Sequence, residues 1–246
     1  ARSVAAHGVV AGCEMRGDQD GADRRQCCWK HGYAHASCQY NPAVTALVVV
    51  VRDPYAWLVS MNKAPYDLAT KGVGSANKRQ NFSTWLRSPV ATVPTTVAAD
   101  HSVQPLYAFR DEHSDPVALW NAKMASYMAA AEALPVVLLR TSDLYNLPRL
   151  EATVGRRLSA LGFARATPTI AYPPFFGDNE SNPWAGRFSR AKLEDAISHE
   201  RSKPWVHAYS REDLAYVNAR LDSAHLSWLG IGRLEAHNRM VYEQNG

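Results

Sequence analysis

Apolar residues gather along this chain in two rhythms. From Val44 to Arg52 they run almost unbroken, Val44-Thr45-Ala46-Leu47-Val48-Val49-Val50-Val51, directly after the turn residues Asn41-Pro42. A β-branched run without polar alternation predicts a strand buried on both faces, as in parallel sheets. Pro135-Val136-Val137-Leu138-Leu139-Arg140 repeats the pattern. Asp53-Pro54 follows the first run at once. Aspartate accepts from the free N–H groups that open a helix, and proline fits its first position, so a helix is predicted through Tyr55 to Met61.

The second rhythm is helical. After Asp115-Pro116, the residues Val117, Trp120, Met124, Tyr127, Met128 and Ala131 fall on one face. Leu147 to Leu161 reads as an amphipathic helix closed by Gly162. Two more are predicted, from Arg190 to about His199 and from Arg211 to Leu229. Ser210 with Asp213 forms a capping box for the latter, and Gly230 ends it. Residues 64–113 read as long loops with short helices, one of them Phe82 to Leu86 before Pro89. Residues 167–188, rich in proline, asparagine, glycine and aromatics, read as a long loop, and residues 1–26 show no clear period. Strands alternating with helices predict an α/β fold with a parallel sheet flanked by helices, in a single domain spanning residues 1–246.

Composition narrows the partners. Hydrophobic residues make up 46% and charged residues 20% of 246 residues, enough for a sizeable core. A net charge of +4 suits a phosphate-rich ligand or an anionic acceptor. No dense Lys/Arg run is interleaved with aromatics, so no nucleic-acid partner is expected. No apolar stretch approaches the ~20 residues of a membrane helix, so no transmembrane segment is expected. No charged-then-apolar leader opens the chain, and the missing initiator Met suggests a fragment or a processed form.

The four cysteines, Cys13, Cys27, Cys28 and Cys38, all lie in the first 38 residues; disulfides and free thiols both remain open. The sequons Asn81-Phe82-Ser83 and Asn179-Glu180-Ser181 lean toward a secretory protein, leaving the Golgi lumen and the cytoplasm as alternatives. Cys28, His31, His35 and Cys38 are zinc-ligand types. Only three residues separate the two pairs, where zinc fingers use a long wrapping loop, so no metal is expected.

Ligands of parallel α/β sheets sit at the carboxyl ends of strands. Arg52 lies at such an end, and its guanidinium matches phosphate oxygens two at a time. Ser60 follows Asp53 by seven residues, two helical turns, and so returns to the face where that helix starts. Together they could grip one phosphate. The plainer alternative is that Arg52 pairs with a surface carboxylate.

Val51-Arg52-Asp53-Pro54 followed by Trp57-Leu58-Val59-Ser60-Met61 resembles the 3′-phosphate motif of sulfotransferases that use 3′-phosphoadenosine 5′-phosphosulfate (PAPS). In that family an arginine and a serine eight positions apart hold the 3′-phosphate, the separation of Arg52 and Ser60. Leu119-Trp120-Asn121-Ala122-Lys123 with Tyr127 resembles the family's central helix. Leu139 to Leu144 resembles its strand-plus-acidic-loop segment, and Ser210 to Gly230 its C-terminal helix.

The resemblance, running from about Trp29 to Gly230, implies a P-loop-like sulfotransferase fold and transfer of a sulfuryl group to a hydroxyl or amine. Carbohydrate is the favoured acceptor, ahead of other small molecules. Lys30 would stabilise the transferring group and His31 would be the base; the alternative for His31 is a strand cap or a core hydrogen bond. Arg187, Arg190, Arg201 and Lys203 are further cofactor candidates, the alternative being solvated surface charges, and Phe175, Phe176 and Trp184 are acceptor candidates, the alternative being core packing.

The family's 5′-phosphosulfate loop, of the Ser-Gly-Thr type, has no match in residues 1–28. Either the chain starts after that loop, or it is a non-catalytic structural or assembly subunit of the same fold. Gly72-Val73-Gly74-Ser75 lacks the Gly-Lys-Ser/Thr of a triphosphate loop, which disfavours a phosphoryl transferase.

Overall fold

The structure, a computed structural model, describes residues 2–3, 46–63, 68–70, 81–92, 95–97, 103–105, 111–164, 175–176, 186–187 and 190–235. In chain order these form β1 (Arg2–Ser3), β2 (Leu47–Val51), α1 (Pro54–Lys63), β3 (Leu68–Thr70) and α2 (Phe82–Trp85). Then come β4 (Val90–Thr92), β5 (Thr95–Val97), β6 (Val103–Pro105), β7 (Asp111–His113) and α3 (Pro116–Ala133). β8 (Val136–Arg140), α4 (Leu147–Ala160), β9 (Phe163–Ala164), β10 (Phe175–Phe176) and β11 (Gly186–Arg187) follow. The last helices are α5 (Arg190–Ser202), α6 (Arg211–Arg220) and α7 (Ser223–Leu229). The class is mixed α/β, mostly helical, with a small parallel sheet of two long strands.

The elements fall into two compact units. The first holds β1, β2, β8–β11, α4 and α5; the second holds α1–α3, β3–β7, α6 and α7.

In the first unit β2 and β8 pair in parallel, from Leu47↔Val136 to Val51↔Arg140. Register partners share a face, so Val48 with Val137 and Val50 with Leu139 look the same way. α4 covers that face. Its Leu150, Val154 and Leu158, four residues apart, pack with Val48, Val137, Leu139 and Leu144. Burying Val137 and Leu139 contributes about 1.5–3 kcal/mol each. Val49 and Val51 are buried on the opposite face. β2 is not buried along both faces as expected, for Val50 is 47% exposed. α4 shields the β8 side of the sheet and leaves this position of β2 open.

Asn146 caps α4 by accepting from the Arg149 N–H (3.1 Å), and Gly162, at φ 80°, ends it. Residues 167–188 were expected to be loop throughout, yet β10 and β11 form a two-residue antiparallel pair there, Phe175↔Arg187 and Phe176↔Gly186.

In the second unit α3 supplies Val117, Leu119, Trp120 and Met124 to the core, while Tyr127, Met128 and Ala131 are half-buried. Asp115 caps α3 through the Ala118 N–H (2.8 Å). The predicted helix from Arg211 to Leu229 is two helices. Asp222 accepts from the Ala224 N–H (2.7 Å) and starts α7, while Leu221 is extended and closes α6. Asn121 of α3 takes up the backbone groups freed at the break, donating to the Arg220 carbonyl (2.8 Å) and accepting from the Asp222 N–H (3.2 Å).

Residues 64–113 also depart from expectation. α2 is present, but β3, β4 and β7 form an antiparallel sheet and β5 and β6 a hairpin ladder. Each of these strands has three residues, too few to display a period of two in sequence.

Candidate functional site

β2 delivers Arg52 to its carboxyl end, and α1 begins two residues later. The Arg52 Nε is buried and finds no hydrogen-bond partner among the described residues. A buried donor without an acceptor costs about 1–3 kcal/mol, and more on a charged group, so such a donor marks a place where an acceptor belongs. The start of α1 is already served: Asp53 accepts from the N–H groups of Tyr55 (2.9 Å) and Ala56 (3.3 Å), and its carbonyl accepts from Trp57 (2.8 Å). An incoming anion would therefore depend on the guanidinium rather than on free helix-start amides.

Ser60 lies on α1 and is half-buried. The boundary between the compact units falls after Arg52, so Arg52 belongs with the sheet and Ser60 with the helices. Lys30 and His31 lie outside the described residues, as do the four cysteines and His35. Of the further basic candidates, Arg201 is exposed and Lys203, at φ 47°, is half-buried. Arg187 lies on β11 and Arg190 opens α5; Phe175 and Phe176 form β10, while Trp184 lies outside the described residues.

Behind α1 stands an aromatic group. Tyr55 stacks on Trp205 (6.3 Å, 6°) and meets Tyr209 edge-on (6.0 Å, 76°). The Tyr209 hydroxyl donates to the Tyr55 carbonyl (2.8 Å). Burial pushes the Tyr55 phenol up to about 12, against a lowering by the Leu234 N–H, so it stays an O–H donor at neutral pH. Burial likewise holds Tyr209 well above the ordinary tyrosine range. Lys123 of α3 lies over the Trp57 ring (6.0 Å).

A second constellation went unread in the sequence. A cleft of about 500 Å³ is lined by Ser83, Arg87, Ser210, Glu212 and Asp213 among others. Asp213 accepts from the Ser83 hydroxyl (2.6 Å), the Arg87 guanidinium (2.6 Å) and the Ser210 backbone N–H (3.2 Å). Burial alone would raise its carboxyl, but the hydrogen bonds from Ser83, Arg87 and Ser210 outweigh it and hold the group below its usual range. With three donors already on its oxygens, this carboxylate is tied into the surrounding structure. The Ser210–Asp213 capping box was legible from spacing; Ser83 and Arg87, more than 120 residues earlier, had no local signal.

Among the described residues, no helix is long and apolar enough to cross a membrane. No protein-family model matches this chain, and neither a curated protein nor a solved structure matches it.

Proposed function

We propose that this chain has a P-loop-like sulfotransferase fold and transfers a sulfuryl group from PAPS to an acceptor hydroxyl or amine, carbohydrate being the favoured class. The observation that supports this most is the buried Arg52 Nε, without a partner among the described residues, at the carboxyl end of a parallel strand. A phosphate is the acceptor that suits it, since a guanidinium can hold two phosphate oxygens at once. Ser60, eight residues on, would add a hydroxyl to the same phosphate; that pairing rests on sequence spacing.

The cofactor supplies the sulfuryl group, whose sulfur bonds to the acceptor oxygen or nitrogen as its bond to the 5′-phosphate oxygen breaks. In this reading the His31 imidazole takes the acceptor proton, which a group titrating near neutrality does well. The Lys30 ammonium sits against the charge growing on the departing phosphate. Arg52 and Ser60 hold the adenosine-linked 3′-phosphate away from the reacting atoms and fix the register of the cofactor. No metal takes part.

Calorimetry with adenosine 3′,5′-bisphosphate on the wild type and Arg52→Ala tests this. Loss of one charge-assisted phosphate contact is expected to weaken binding about 30-fold or more. No binding by the wild type, or equal binding by both proteins, would refute the assignment. Binding without transfer to glycan, other hydroxyl or amine acceptors would support the non-catalytic relative.

A further inference from the structure

The residues after α7 turn back onto the helical unit. The Ile231 N–H donates to the Leu226 carbonyl (2.9 Å) past Gly230, whose φ of 61° makes the turn. Arg233 donates to the Leu221 carbonyl (3.2 Å). Leu234 then uses both of its backbone groups: its N–H donates to the Tyr55 phenol oxygen (3.0 Å), and its carbonyl accepts from the Asn218 amide (2.8 Å). The Tyr55 hydroxyl donates in turn to Asn218 Oδ1. Tyr55, Asn218 and Leu234 thus form a closed ring in which each member donates once and accepts once.

The ring closes on the first turn of α1. Tyr55 is the second residue of that helix and 1% exposed. Its carbonyl is held by Tyr209 and its N–H by Asp53. A partly buried ring of this kind is stiff, because removing any member strands the donor or acceptor of its neighbour. Residues from α1, α6 and the segment 231–235 are tied at one point, and α1 is the helix that carries Ser60.

We propose that residues 231–235 are a strap whose attachment to Tyr55 sets the position of α1, making Tyr55 and Asn218 positioning residues for Ser60. The functional half of this rests on the phosphate reading above; the structural half does not. Releasing the strap removes the ring and leaves the start of α1 held by its Tyr209 and Asp53 hydrogen bonds and by the packing of Tyr55 on Trp205.

Two variants break the ring from opposite sides. Tyr55→Phe deletes the phenol oxygen, while Leu234→Pro deletes the N–H and leaves Tyr55 intact. Tyr216→Phe, on the same α6, leaves the ring whole and serves as the control. In both ring variants the α1 amides should exchange about tenfold faster, with α3 amides unchanged. Adenosine 3′,5′-bisphosphate should bind about fivefold more weakly, and adding Ser60→Ala to Leu234→Pro should cost nothing more. Unchanged α1 exchange in both variants, or an equal rise in α3, overturns the strap. Faster α1 exchange with unaltered affinity overturns the positioning role. No binding by the wild type overturns the phosphate reading and that role with it, while the exchange result still decides the strap.

Discussion

The unit built on the parallel pair β2–β8 (the sheet-bearing unit) and the unit built around α1, α3, α6 and α7 (the helical unit) both have apolar cores, and they differ in the charge buried beside them. In the first, cohesion comes from apolar contact: Val137, Leu139 and Val154 are buried together, with Val48, Leu150 and Leu158 against them. The ion pair of Arg149 with Asp143 there, at 3.4 Å, has a 64% exposed arginine and adds little. In the second unit two aspartates are buried almost completely, Asp115 and Asp213. Each is paired with an arginine, Arg220 at 2.5 Å and Arg87 at 2.6 Å. Both guanidiniums also flank the Tyr216 ring, at 5.1 and 4.7 Å. Each aspartate serves a helix start as well, Asp115 at α3 and Asp213 at α6. Stability in both units therefore follows buried apolar area, and the second adds buried charge pairs in which loss of one partner is costly.

The largest expected break in that contrast is Asp213→Ala. It removes a capping-box partner, the Ser83 acceptor and the Arg87 counter-charge together, so the helical unit should lose about 3–4 kcal/mol. Exchange of α6 and α2 amides should report it while β2 and β8 amides stay protected. Acid should act in the same direction. Asp213 is held below its ordinary value of 3.8, so its contribution is full above that value and is lost as pH falls through the lowered one. Denaturation monitored on each unit should thus show the helical unit weakening in acid, with the apolar cluster of α4 and β8 insensitive.

Leu139→Ala, in that cluster, should cost the sheet-bearing unit about 2–3 kcal/mol with no pH dependence. Val50→Ala, on the same face but exposed, should change stability by under about 0.5 kcal/mol. Two glycine positions in and just after α4 should have opposite effects. Gly162→Ala forces a side chain into φ 80° and should cost about 1 kcal/mol. Gly155→Ala, mid-helix with open space at its Cβ, should stabilise by up to about 1 kcal/mol. Thermal melts of the pair should shift in opposite directions.

Much of this architecture was legible where local chemistry dictates it. The strand–turn–helix from Leu47 to Lys63, the Asp115 cap, the Ser210–Asp213 box and the terminal glycines Gly162 and Gly230 all follow from neighbouring residues. What sequence reading missed depends on distant partners or on short elements. The break at Leu221–Asp222 needs Asn121, about a hundred residues earlier, to take its backbone groups. The strands of three residues in 64–113 carry no readable period. Val50 looked as buried as its neighbours because strand composition does not tell which side of a two-stranded sheet a helix will cover. At the candidate site, position at a strand end singled out Arg52; that its Nε would be buried without a partner among the described residues had no sequence signal.

The most direct test of the central claim is the affinity added by the 3′-phosphate itself. Wild type and Arg52→Ala would each be titrated with adenosine 3′,5′-bisphosphate and with adenosine 5′-monophosphate. If Arg52 is the anchor, the wild type should prefer the bisphosphate by about 100-fold, and the variant should lose most of that preference while its affinity for the monophosphate stays the same. An equal preference in the two proteins, or none in the wild type, would contradict it.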